Sequence, residues 1–285
     1  MPGIRKPVSA VSPGMSILLL MVLIAVGLSA AMAGAWAIAR QPRQSGWTDV
    51  IWSYAIGLAG VIAALVPIES APSSRQWLVA LLVAGWSLRL GTHIALRTHG
   101  SGDDPRYAEL RREWGEHFSA RLFAFLQIQA GAAWLLVLSI LAAARNPAPV
   151  LAWSDVAGAL ILIFAVICEG VADHQLSRFR RNPTNKDRVC DTGLWGISRH
   201  PNYFFEWLGW VAYAVIAIGP GGHAGWRWIA LVGPAFMYVL LVHVSGIPPL
   251  EAHMLRSRGQ AFLDTQRRIS AFWPLPRRQP QEFRA

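Results

Sequence analysis

Charge is scarce in this chain, at 15% of 285 residues, and only 16 of those residues are acidic. Two cysteines, Cys168 and Cys190, are too few for a disulfide framework. No Gly-x-Gly-x-x-Gly follows a strand pattern and no P-loop occurs, which excludes the usual soluble nucleotide folds. The eight histidines form no His-Glu-x-x-His or similar ligand spacing, so no metal site is expected. A Gly-x-Ser-x-Gly nucleophile elbow is also missing.

What fills the space is apolar. Hydrophobic residues make up 54% of the chain, mean hydropathy is +0.35, and there are 14 tryptophans. Such a composition is too apolar for an ordinary soluble domain and implies membrane spans. The formal net charge is +10. Its basic residues sit in short loops between apolar runs, so they read as topology and headgroup signals rather than a nucleic-acid surface.

The expected fold is all-α and polytopic, a single membrane domain over residues 15–276 between a loose stretch, 1–14, and a disordered tail, 277–285. Seven spans are expected, over 15–39, 48–67, 76–97, 122–144, 151–172, 201–219 and 226–246. The first is too long for a signal-peptide core and is read as retained. Glu69 to Ser74 make a turn. Asp104-Pro105 signals a helix start, followed by Tyr107, Leu110, Trp114 and Phe118 at helical spacing. That helix is expected to lie on the membrane surface. Two prolines before Leu250 open another short amphipathic helix, with Glu251 in its first turn. Of the 26 Lys and Arg residues, 20 fall in loops on one side and 5 on the other. The positive-inside rule then puts the N-terminus outside and the C-terminus in the cytoplasm.

The densest chemistry lies in Asn182 to Trp210. Arg188, Arg199 and His200 precede Pro201, a residue suited to the first helical position, so an anion-favouring helix N-terminus is expected there. Asn202, Tyr203 and Glu206 then place polar groups inside an otherwise apolar helix. In the third span Trp86, Arg89 and His93 share a face. Glu169, Asp173 and Arg180 share another if the fifth helix continues past its span. All these groups fall on the arginine-rich side. A cytoplasm-facing pocket of this kind suits a phosphate-bearing cofactor such as NADPH.

The run Gly-Leu-Trp, Ser-Arg-His-Pro-Asn-Tyr and Glu206 resembles the C-terminal domain of the membrane steroid 5α-reductases, and more closely their bacterial relatives of uncertain substrate. Gly-Asp-Asp-Pro-Arg-Tyr and the closing Ala-Phe-Trp-Pro resemble the same family. The resemblance implies NADPH contacts from Arg89, Arg97, Asp173, Arg180, Arg188, Asn202 and Glu206, with Arg199, His200, Tyr203 and Glu251 beside them. It implies reduction of a C=C bond in a steroid, isoprenoid or other lipid, in a bacterial inner membrane. Trp86 stands where the family's proton-donating Tyr aligns, and Asp49 or Glu69 is the nearest match to its Glu. The substrate contacts are therefore expected at Asp49 and Trp86, with the proton donor unassigned. Arg-His-Pro-x-Tyr followed by a carboxylate also resembles the isoprenylcysteine and phospholipid methyltransferases, so an S-adenosylmethionine-dependent lipid methyltransferase is the alternative. A non-catalytic lipid-binding protein is the third.

Overall fold

The computed structural model describes residues 15–41, 44–68, 71–99, 105–220 and 225–278. Among them the regular structure is entirely helical. Helix α1 (Ile17–Ala39) starts where the Ser16 side chain accepts from the Leu19 N–H. It packs through Leu20, Ile24, Leu28 and Met32 while its opposite face stays apolar and exposed, as a lipid-facing helix requires.

Helices α2 (Trp47–Leu65) and α3 (Ser74–His99) form an antiparallel pair. Small residues let them approach closely: a Cβ at Gly57 would lie 2.0 Å from the Ser87 hydroxyl. That hydroxyl instead donates to the Ser53 carbonyl at 3.0 Å. Next come α4 (Pro105–Trp114), α5 (Phe118–Ala144) and α6 (Trp153–Arg181). Helix α6 runs unbroken past the span expected for it, so Glu169, Asp173 and Arg180 lie on one helix. Helix α7 (Pro201–Ile218) begins with Pro201 at its first position, as expected.

Among the described residues, six helical segments are long and apolar enough to cross a membrane, with mean hydropathies of 1.5 to 2.5. Seven were expected. Helix α7 does not join the six, because Asn202, Tyr203 and Glu206 crowd its first turns. The segment expected as the last span is one of the six, Gly225–Arg258, but its helical form changes along its length. A 3-10 stretch, Gly225–Leu231, leads into α8 (Val232–Val239), then a π-helical stretch, Leu240–Val244. Pro234, which has no N–H to give, forces the change of helical form. Ser139 on α5 repairs the loss: its hydroxyl accepts from the Gly233 N–H at 2.7 Å and donates to the Ala230 carbonyl at 2.9 Å. Irregular backbone at membrane depth thus keeps its hydrogen bonds.

Helices α9 (Ile247–Arg258) and α10 (Gln260–Arg268) turn on Gly259, whose φ of +51° favours glycine. The last residues return to the loop before α7. Leu275 N–H donates to the Ile197 carbonyl at 2.9 Å, and Arg277 holds the Gly196 carbonyl at 3.2 Å. The expected loose start over 1–14, Glu69, the Asp104 cap and residues 279–285 lie outside the described residues.

Candidate active site

Trp86, on the inner face of α3, donates its indole N–H to Glu206 Oε2 at 2.8 Å. From α7 itself, Trp210 donates to Oε1 at 2.9 Å, reaching back one turn. The two indoles meet edge to face, their centroids 5.3 Å apart. Glu206 is 7% exposed. It is a carboxylate deep among apolar helices, with each oxygen satisfied by a different ring. Tyr213, two turns further along α7, is also buried, and its hydroxyl has no hydrogen-bond partner.

One turn beyond Trp86, Arg89 meets two acids of α6. Its guanidinium lies 2.6 Å from Glu169 and 2.5 Å from Asp173. A further turn along, His93 Nε2 lies 3.5 Å from the same Asp173 oxygen. The spacing of three and four residues on α3 matches the four-residue spacing on α6, so the two faces interlock. Glu169 Oε2 has no hydrogen-bond partner and lies within electrostatic reach of Glu206. Trp86, Arg89, Asp173 and Glu206, all expected at the site, therefore form one seam with Glu169, His93 and Trp210. A cleft of about 590 Å³ opens on its outer side, between α3 and α6.

Arg199, His200 and Glu251 assemble elsewhere. Arg199 Nε lies 2.8 Å from Glu251 Oε1, and His200 Nε2 is 3.0 Å from the same oxygen. Gln266 donates to the other oxygen at 2.8 Å, and Arg199 also holds the Gln266 and Ile269 carbonyls. This cluster fastens the C-terminal helices to the start of α7. Tyr203 stacks on His200 at 5.6 Å, with planes 10° apart. Burial pushes the His200 imidazole below its ordinary value, while the hydrogen bond and charge of Glu251 pull the other way. Its Nδ1 has no hydrogen-bond partner.

The remaining expected residues are spread out. Arg97 and Arg180 lie near one another, with Arg258 alongside, at the arginine-rich ends of their helices. Arg188 is exposed on the loop after α6, and Asn202 is half-buried in the first turn of α7. Asp49 sits in the first turn of α2, one turn before the Ser53 carbonyl that takes the Ser87 hydroxyl.

Sequence reasoning missed a second ion pair on the same two helices. Arg75, 2% exposed, makes a paired contact with Asp155 at 2.7 and 2.8 Å. It also donates to the carbonyls of Asn146, Ala148 and Val150. One signal of the pair, visible only once the first is known, is the spacing. Arg75 and Arg89 are as far apart on α3 as Asp155 and Glu169 are on α6, so both ion pairs join residues 80 positions apart.

The model of a family described as a protein of unknown function (DUF1295) matches residues 35–269. No curated protein and no solved structure matches the chain. The matched stretch takes in most of the chain, including the Trp86–Glu206 seam and Glu251, and the chain belongs to the DUF1295 family.

Proposed function

We propose that the chain is a membrane-embedded, NADPH-dependent reductase of a C=C bond in a steroid, isoprenoid or other lipid. The observation that carries the reading is the polar seam of Glu206, Arg89, Glu169 and Asp173 inside apolar helices, running toward Arg97, Arg180 and Arg258. Ionisable groups at such depth are costly and mark ligand or proton paths. The donor set suits this cofactor. Arginines at the helix ends match phosphates, and buried acceptors further in match a carboxamide and ribose hydroxyls. Spare capacity exists where it is needed, at Glu169 Oε2 and the Tyr213 hydroxyl, both buried and without hydrogen-bond partners.

In this reading Arg97, Arg180 and Arg188 bind phosphates. Glu206 and Asn202 orient the nicotinamide, and Arg89 with Asp173 holds the ribose side. Bound NADPH supplies the hydride. Trp86 fixes the Glu206 carboxylate in place, because its N–H is already donated there. Arg199 supports the site indirectly, through the start of α7, since Glu251 and two carbonyls occupy its guanidinium. The likeness of the Arg-His-Pro-Asn-Tyr stretch to steroid 5α-reductases supports the same class.

A second reading, an S-adenosylmethionine-dependent lipid methyltransferase, draws on one observation. Arg199, His200 and Glu251, the residues shared with that class, do converge, and His200 keeps a partnerless buried nitrogen.

The test is a thermal unfolding titration of the detergent-purified protein with NADPH and, separately, with S-adenosylmethionine. A ligand at 100 times its Kd adds about 2.7 kcal/mol of stability. Stabilisation by NADPH alone is the expected result. Stabilisation by S-adenosylmethionine alone would transfer the site to the second reading. A response to neither would leave a lipid-binding protein without this chemistry.

A further inference from the structure

The cleft between α3 and α6 is open on its outer side. Its rim is apolar: Leu88 is 61% exposed and Leu96 is 73% exposed, both on the lipid-facing side of α3. Its floor is polar, with Arg89, His93 and Asp173 in contact and Ser177 beside them, and Thr92 is exposed on the rim between Leu88 and Leu96. The two helices are pinned by the Arg75–Asp155 pair at their starts and by Arg89 with Glu169 and Asp173 further on. The cleft takes in the second pin and runs from it toward the arginine-rich ends of both helices. A Cβ at Gly170 would meet only the Arg89 guanidinium, at 3.8 Å, so a larger side chain at this position would enter the cleft.

The charges on the floor decide what kind of head fits. Arg89 already faces two carboxylates, so it offers no surplus positive charge to an anionic head. The other charged or titratable groups lining the cleft are Asp173, His93 and His174. His93 Nε2 lies 3.5 Å from Asp173, a contact too long and poorly aligned for a hydrogen bond, so the imidazole can still give or take one. The Thr92 hydroxyl, which contacts the Tyr54 hydroxyl of α2 at 2.9 Å, and that of Ser177 can each give or take one.

We propose that the α3–α6 cleft is a lateral port in the membrane for a neutral lipid with a hydroxyl head, which is held by His93, Thr92 and Ser177 while the chain lies between Leu88 and Leu96. This deepens the reductase reading by naming where the lipid is admitted and what head it carries. It rests on that reading only for calling the lipid a substrate.

A matched pair of photoreactive probes tests it: a sixteen-carbon alcohol with a diazirine in its chain, and the fatty acid with the same chain. The full-length protein in nanodiscs, without cofactor, is irradiated with each at pH 8, and the cross-linked peptides are located by mass spectrometry. The alcohol should label 88–96 and 170–177, about tenfold more strongly than the acid, because Glu169 and Asp173 already balance the Arg89 charge on the floor. Gly170→Leu, which fills the cleft, should cut that labelling about tenfold while thermal unfolding and labelling of exposed α1 stay as in the wild type. Equal labelling by the acid, labelling confined to other helices, or labelling untouched by Gly170→Leu would overturn the port. Should Gly170→Leu unfold the protein, competition by the plain sixteen-carbon alcohol serves in its place, and failure to displace the probe from these peptides overturns the port. Labelling as expected without NADPH stabilisation would keep the port and remove the reductase.

Discussion

Both oxygens of Glu206 accept from indole nitrogens, which sets how the residue can be probed. Alanine would leave two buried N–H groups unpaired and confuse binding with folding. Glu206→Gln is a smaller change, yet its amide nitrogen must face one of the two indoles. It should cost about 1–3 kcal/mol of stability. Trp210→Phe removes one donor, so the double variant should be less destabilised than the sum of the two singles, by about 1 kcal/mol. Unfolding of the four proteins in nanodiscs gives that cycle. Strict additivity would mean the carboxylate is not held by the ring. At this scale the sequence was informative about one partner only. Glu206 stood out as an acid in an apolar helix, but which donors met it depended on how α3 and α7 pack, and Trp86 read as a substrate contact.

Helices were easier to read than their pairing. Long apolar runs placed α1, α2, α3 and α5 closely, since hydropathy follows directly from side-chain type. Two things escaped. Pro234 was a visible warning that the last span would not be regular, but its repair by Ser139 from another helix was not local information. Arg75 and Asp155 each sat at a span end, where a charge reads as a solvated loop residue, although together they form a buried pair. This pair holds α3 and α6 at their starts, so Arg75→Met should cost about 3–5 kcal/mol by leaving Asp155 charged and alone. Adding Asp155→Asn removes that charge while the side-chain oxygen can still accept the Ala152 N–H, and should recover part of the loss. Thermal unfolding compares the two. If the double variant is no more stable than the single, the carbonyl contacts of Arg75, and not the ion pair, hold the helices.

For the whole molecule, orientation is the property most exposed to test. On the seven-span reading, in which α7 also crosses, the basic residues divide 20 to 5 between the two sides, with the N-terminus assigned to the poorer side. Two of those five are occupied inside the protein: Arg75 by Asp155, and Arg145 by the carbonyls of Ala63 and Val66. Charges bound in this way contact headgroups less, so the asymmetry that the folded protein presents to them is steeper than the count. Single cysteines in a variant lacking Cys168 and Cys190 can report it. Ala71→Cys, before α3, should react with a membrane-impermeant maleimide in intact cells, and Ala261→Cys, on α10, only after permeabilisation. Both positions are exposed, so access depends on the side of the membrane and not on burial. The reverse pattern would put the arginine-rich ends outside the cell, where NADPH is not supplied, and would remove the reductase reading together with the orientation.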